Sequence, residues 1–277
     1  MYIKKKLFTA KQKRKALNVA VILLVGIFIY STSRMIFVGK QYSQSKDSYS
    51  GLNQYMTFDP GQTGTPGDAG STSGMDGDTT EVEIGKYIRL QQLGANFASL
   101  REINGDIVGW IEIAGTALNY PVTQCSNNDY YLNHLFTGEY NICGCPFLDY
   151  RTSSGFDSRN NIIYGHRMND GSMFTCIQNY SSQSFYNNNP TATLYTPTGT
   201  YVIEFFSGYV SAAKGEPWKV TFSSDDAFQQ WHDSLIEKSD FTSDVSFSVS
   251  DCVVTLSTCS HAFENARYVL HGVLREV

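Results

Sequence analysis

Three short segments of this 277-residue chain hold side chains that could do covalent chemistry. Asn161-Ile162-Ile163-Tyr164-Gly165-His166 is an apolar run that breaks at a glycine and presents an imidazole. Thr255-Leu256-Ser257-Thr258-Cys259 ends a second run in a thiol, and Arg267-Tyr268-Val269-Leu270-His271 opens a third with a guanidinium. A thiolate is the reactive form of cysteine, and a nearby imidazolium or guanidinium favours it. An arginine beside the thiol could also hold the oxyanion of a tetrahedral intermediate. If the last two runs are antiparallel strands, the seven-residue loop Ser260 to Ala266 brings positions 259 and 267 to one rim. Taken singly these signals are weak: a lone cysteine after a β run is more often core, and a strand-initial arginine is usually a solvated end.

The remaining candidates have plainer readings. His261 lies two residues from Cys259, so spacing alone does not reject it as the base, but its polar loop suits an ordinary exposed histidine. His271 shares a strand face with Arg267 about 13 Å further along. His134 and His232 have no supporting context. Cys125, Cys143, Cys145, Cys176 and Cys252 are too scattered for a disulfide framework and read as small core residues. Cys143-Gly144-Cys145 has the look of a metal motif, yet no second close pair completes a four-ligand zinc site, and no acidic cluster has calcium-loop spacing.

The elements that would position these groups are mostly short strands. Alternating or apolar runs separated by turn residues cover Trp110–Ile113, Tyr120–Thr123, Pro146–Tyr150, Asn161–Tyr164, Thr193–Thr196, Tyr201–Val210, Cys252–Ser257 and Arg267–Leu274. Eight such strands predict a barrel or sandwich. Ile84, Ile88, Leu93, Phe97, Leu100 and Ile103 recur at near-helical spacing and predict one or two helices ending at Asn104-Gly105. Ser224 with Asp225 and Asp226 predicts a capped helix over about 224–236, with Phe228, Trp231 and Leu235 on one face.

The N-terminal part is organised differently. Residues 1–15 carry seven Lys or Arg and no acid, a basic cytoplasmic head. Residues 16–38 are apolar enough for a transmembrane signal anchor, since a bilayer takes roughly 20 helical residues. The charge bias predicts the N-terminus inside and the rest outside the cell membrane. A cleaved signal peptide is the competing reading, although no small-residue cleavage pattern follows Tyr30. Residues 39–80, rich in Gly, Ser, Thr, Gln and Asp, predict a flexible stalk, and 81–277 a catalytic domain. From Glu81 onward 11 basic side chains face 21 acidic ones, which argues against nucleic acid as a partner.

Taken together the motifs resemble the sortases, cysteine transpeptidases of the bacterial surface. Thr-Leu-Ser-Thr-Cys259 with Arg267 downstream is similar to the family's Thr-Leu-x-Thr-Cys signature, and Tyr164-Gly165-His166 to its histidine segment. Gly105-Asp106-Ile107-Val108-Gly109-Trp110-Ile111, Gly115-Thr116, Tyr120-Pro121-Val122, Asn128-Asp129-Tyr130-Tyr131-Leu132 and Phe147-Leu148-Asp149-Tyr150 resemble class B in particular. The resemblance covers about Phe97 to Leu274. It implies a mainly β fold, an eight-stranded sortase-type barrel with N-terminal helices and one additional helix before the strand carrying the cysteine. It implies catalysis by Cys259, His166 and Arg267, with Asn128, Leu132, Ser257 and Thr258 in the substrate groove and the segment Ala212–Thr221 walling it. The implied reaction cleaves a C-terminal sorting signal of a secreted protein, holds it as a thioacyl enzyme on Cys259, and passes it to an amine of peptidoglycan or a pilin. No cofactor and no metal are implied. Arg167 replaces a frequent Asn after the histidine, Ser260 a frequent acid after the cysteine, and Cys145 a small or aliphatic core residue. Two rivals stand beside this reading: an endopeptidase that releases the acyl group to water, and a silent surface-binding module.

Overall fold

The computed structural model describes residues 10–58, 93–259 and 265–277. The chain forms two units, Met1–Lys46 and Asp47–Val277. Helix α1 runs from Ala10 to Leu52, 43 residues, or about 64 Å of helix. Its apolar stretch has a mean hydropathy of 2.1, so α1 is long and apolar enough to cross a membrane. Phe28 alone is 71% exposed, a surface that water does not favour.

Residues 39–58, expected as the start of a flexible stalk, are helix, turn and strand instead. α1 continues to Leu52, a 3₁₀ turn covers Asn53–Tyr55, and strand β1 covers Met56–Phe58. Composition averaged over 39–80 hid the reason. No proline occurs before Pro60, and the isolated glycines at 39 and 51 cost a helix only about 1 kcal/mol each. Tyr49 and Leu52 are also buried. Tyr49 donates its hydroxyl to the Gly144 carbonyl at 2.6 Å and meets Tyr120 edge-on at 5.1 Å. The rest of the expected stalk, 59–80, lies outside the described residues, as do Ile84 and Ile88.

β1 pairs antiparallel with β2, Leu93–Ala95. Asn96 then caps α2, Phe97–Ile103, its side-chain oxygen accepting from the Ser99 amide. The eight strands that follow are β3 Ile107–Glu112, β4 Asn119–Thr123, β5 Phe147–Leu148, β6 Asn160–Tyr164, β7 Thr191–Thr196, β8 Gly199–Ala212, β9 Val253–Cys259 and β10 Ala266–Glu276. They close into a barrel in the order β10-β8-β7-β3-β4-β5-β6-β9. Most neighbours are antiparallel, but β4–β5 and β6–β9 are parallel. Two short helical segments join β6 to β7: a 3₁₀ stretch, Thr175–Ser181, and α3, Gln183–Asn188. Neither was expected, because both are too short to show a period.

Strand alternation sorts the residues into two cores. Ile111, Val122, Ile163, Leu194, Phe205, Leu256 and Leu270 fill the barrel interior. On the outer face, Phe206, Val253, Val269 and Val273 pack against Phe228, Trp231 and Leu235 of α4, Asp225–Ile236. The Ser224 hydroxyl accepts from the Ala227 amide, as the capping pattern anticipates.

His232 and His271 lie in this outer layer, both buried, with His271 Nδ1 2.9 Å from the Thr255 hydroxyl. Burial first, then the charges of Lys238 and His232, push His271 down to about 3. Burial likewise lowers His232. An unfolded histidine titrates near 6.5, so on acidification the unfolded chain takes up protons that the folded chain refuses. Stability from His271 is therefore complete above pH 6.5 and falls, by about 1.4 kcal/mol per pH unit, as pH drops toward 3. Denaturant midpoints measured from pH 7 to 5 should decline over this window, and the decline should flatten in His271→Gln. An equally steep decline in that variant would show the histidine is not its source.

Candidate active site

The site is built by two strand pairings. β9 and β10 are antiparallel with Cys259 directly opposite Arg267. β6 and β9 are parallel with Tyr164 opposite Ser257, and one further bond, Gly165 N–H to the Ser257 carbonyl at 3.1 Å, extends the match. His166 follows β6 by two residues and Cys259 follows Ser257 by two, so both positions reach the same end of neighbouring strands. Such neighbours are about 4.8 Å apart. The face is common as well: Ile163, Leu256 and Leu270 point into the barrel, so by parity positions 164, 257 and 267 belong to its outside.

Gly165 permits the turn that presents the histidine. A Cβ there would collide with the Phe174 ring, and the Phe174 amide donates to the His166 carbonyl at 2.9 Å. His166 Nε2 lies 2.7 Å from the Leu132 carbonyl. A carbonyl only accepts, so Nε2 carries a proton, and in the neutral ring Nδ1 is then the basic atom. The Leu132 carbonyl is itself held by a 3₁₀ turn, Tyr130–Leu132. The Asn127 side chain starts that turn by accepting from the Asp129 and Tyr130 amides at 2.8 and 2.9 Å. Gly144, at φ +61°, packs so closely on the Tyr131 and Leu132 carbonyls that no side chain fits.

Asn128 lies beside this turn and accepts from the Tyr150 amide at 3.1 Å. Ser257 and Thr258 are both buried. Parity separates them: Ser257 falls on the outer face, whereas Thr258 falls on the inner face with Leu256, opposite the core residue Tyr268. The Thr258 side chain therefore does not line a groove on the outside, because successive strand residues point to opposite faces.

A cavity of about 420 Å³ opens beside Arg267, lined also by Arg151, Tyr164, Ala213, Lys214, Gly215 and Trp218. The segment Ala212–Thr221 thus supplies one wall. Beneath it is a network that motif reading missed. Asp149 is fully buried and accepts from Arg151 Nε at 2.9 Å, Arg151 Nη2 at 2.7 Å and the Tyr164 hydroxyl at 2.9 Å. Arg151 Nη2 reaches the Trp218 carbonyl at 3.3 Å. Burial raises the Asp149 carboxyl, but the hydrogen bonds from Arg151 and Tyr164 outweigh it and hold the group below its usual range. Burial and the Asp149 charge push the Tyr164 hydroxyl up. A sequence signal existed in the acid closing the apolar run Pro146-Phe147-Leu148 two residues before an arginine.

Other candidates lie elsewhere. His271 and His232 belong to the outer core already described, and His134 stacks on Tyr130 at 4.0 Å. His261 and Ser260 lie outside the described residues. Cys143, Cys145 and Cys176 are buried, while Cys125 and Cys252 are half-exposed rather than core. Cys143 and Cys145 flank the left-handed Gly144, and burial pushes Cys145 up to about 12. Among the described residues no three His, Cys, Asp or Glu side chains gather as metal ligands.

Over 167 residues the chain is 40% identical to Sortase B of Staphylococcus aureus (strain NCTC 8325 / PS 47), covering 60% of this chain and 68% of that protein. The chain belongs to the class B sortases. Sortase B of Listeria monocytogenes serovar 1/2a (strain ATCC BAA-679 / EGD-e) is 35% identical over 177 residues, covering 63% of this chain and 72% of the relative. The fold agrees with a Staphylococcus aureus sortase B–substrate complex at a TM-score of 0.68 and 31% identity, across 86% of this chain and 99% of that one. Clostridium perfringens sortase B superposes at 0.62 with 33% identity, across 65% and 100%. No family model matches the chain. The protein is thus a sortase cysteine transpeptidase on a mainly β, eight-stranded barrel.

In this class B sortase the Asp149 network ties β5, β6 and the wall at Trp218 together. Asp149→Ala should lower unfolding free energy by about 2–3 kcal/mol, less than a fully buried pair costs because Arg151 is 40% exposed and recovers water. Chemical denaturation measures this. A loss under 0.5 kcal/mol, on the order expected of an ordinary surface change, would show that the network is dispensable.

Proposed function

We propose that this sortase cleaves a C-terminal sorting signal of secreted proteins and transfers the acyl part to an amine of the cell wall or a pilin. The Cys259 thiolate attacks the scissile carbonyl, and Arg267 holds the oxyanion that forms. His166 gives its proton to the leaving amine, and the C–N bond breaks to leave a thioacyl enzyme. The incoming amine then loses a proton to His166 and attacks the thioester, and the thiolate departs. One amide is exchanged for another, with no net redox change and no cofactor. The observation that supports this reading is that the ladders set Cys259 opposite Arg267 and set Tyr164, two residues before His166, opposite Ser257, two residues before Cys259. Asn128, Leu132 and Ser257 border the same rim and are assigned to peptide binding, Thr258 through its backbone. A sortase B solved with its substrate is among the structures this fold resembles, which supports a peptide donor.

The domain scheme follows: a basic head at 1–15, an anchor near 16–38 and a catalytic domain outside the cell, with the N-terminus inside. Seven cations ahead of the apolar run support that orientation. Water in place of the amine would make the same residues an endopeptidase.

Three outcomes are expected of a peptide assay run with and without an amine acceptor. Cys259→Ala should lose all thioacyl capture, and His166→Ala should lose about a hundred-fold or more of turnover, while His261→Ala keeps most of it. Retained capture in Cys259→Ala, or a reversal of the two histidine results, would sink the assignment. Acceptor-independent cleavage with no ligated product would favour the hydrolase. In cell fractionation the full-length chain should stay with the membrane, and a soluble form about thirty residues shorter would mark a cleaved signal instead.

A further inference from the structure

Acyl transfer needs one arginine at the thiol, but the cavity beside it holds three cations. Arg151, Lys214 and Arg267 line it together with Tyr164 and Trp218, and no acidic side chain lines it among the described residues. The chain from Glu81 onward has only 11 Lys and Arg against 21 acids, so three in one cavity is not a reflection of composition.

Among the described residues, Arg267 and Lys214 keep most of their donors uncommitted. Arg151 spends Nε and Nη2 on Asp149 and the Trp218 carbonyl, and its guanidinium also lies against the Tyr164 hydroxyl on the cavity wall. Arg267 gives Nη1 to the Ala266 carbonyl, and its side chain makes no other hydrogen bond among the described residues. No carboxylate among the described residues pairs with Lys214. Asp149 neutralises Arg151 from behind without facing the cavity. Like charges gathered in a cleft focus a positive potential there and favour a bound anion. A forked guanidinium and an ammonium match a carboxylate, and two aromatic walls suit the methylenes that carry one.

We propose that this cavity is a carboxylate subsite next to the transferred bond, with Lys214 and Arg151 as its specificity-determining residues. The proposal rests on the transpeptidase reading and deepens it: the preferred ligand bears a carboxylate within a few bonds of the reacting group. Two sources share that chemistry, an acidic residue of the donor peptide after the scissile bond and a carboxylate on the acceptor amine.

The test uses the full chain in detergent micelles and two probe pairs. Lysine and 1,5-diaminopentane are acceptors that differ by one carboxylate. Glu and Gln versions, at the position after the cleaved bond, of a library peptide that the protein cleaves are the donors. The readout is the ratio of KM values within a pair, so a general loss of activity cancels. One pair should favour the carboxylate about ten-fold, and which pair does so identifies the source. Lys214→Glu should abolish that ratio and Lys214→Arg restore it. Lys214 is exposed on the turn before Gly215, so neither change disturbs the core. Titrating the same four probes into Cys259→Ala protein by NMR needs no turnover. A carboxylate preference there without any transfer in the wild type would topple the transpeptidase reading and keep the subsite. Ratios near one in both pairs, unmoved by Lys214→Glu, would overturn the subsite.

Discussion

The constraint on which this molecule depends is the parallel pairing of β6 with β9. The two strands are separated by 88 residues along the chain, from Gly165 to Cys252, and parallel neighbours need a crossover of about a dozen residues or more. β7, β8 and α4 all lie within it. The pairing aligns the C-terminal ends of both strands, so whatever follows β6 emerges beside whatever ends β9. A slip of one residue would turn every side chain of β9 to the other face. Buried polar groups oppose such a slip. The Thr255 hydroxyl donates to Asn160 Oδ1 at 2.6 Å, and Asn161 Nδ2 donates to the Phe156, Ser158 and Val253 carbonyls at 3.0, 2.7 and 3.2 Å. The Thr255–Asn160 and Asn161–Val253 bonds cross the pairing and exist in one register only, and an unmet buried amide costs about 1–3 kcal/mol.

Packing then decides which part of the outer barrel surface stays open. α4 covers β8, β9 and β10 with Phe228, Trp231 and Leu235. Beyond its reach, near the end of β9, the surface is lined by polar and aromatic groups. Asp149 holds Arg151 and Tyr164 upright there, and the loop with Lys214 and Trp218 forms the wall. A rigid charged floor suits catalysis because its donors need not reorganise as charge develops.

Much of the architecture was legible in the sequence. All eight barrel strands matched an alternating or apolar run, since a strand with one face inside must alternate. The helix at 225–236 was legible from its serine cap and first-turn acids. The helical course of residues 39–52 was not, because a low-apolar average conceals Tyr49 and Leu52, whose burial partners lie in a distant segment. The family resemblance implies a groove position for Thr258, whereas strand parity turns its side chain inward. Asp149 was visible only as part of a motif, for its partners Arg151 and Tyr164 acquire meaning when β5 and β6 pair.

What the sequence determined by itself was therefore local: the reactive residue types, the strand and helix periods, the apolar run at the N-terminus, and the charge balance of each part. Those features depend on neighbours within a few positions along the chain. Tertiary structure alone decided which end of which strand meets which, how deeply Asp149 is buried, and that Arg151, Lys214 and Arg267 share one cavity. Such facts depend on distances between residues far apart in sequence, which a closed barrel sets and a linear pattern does not contain.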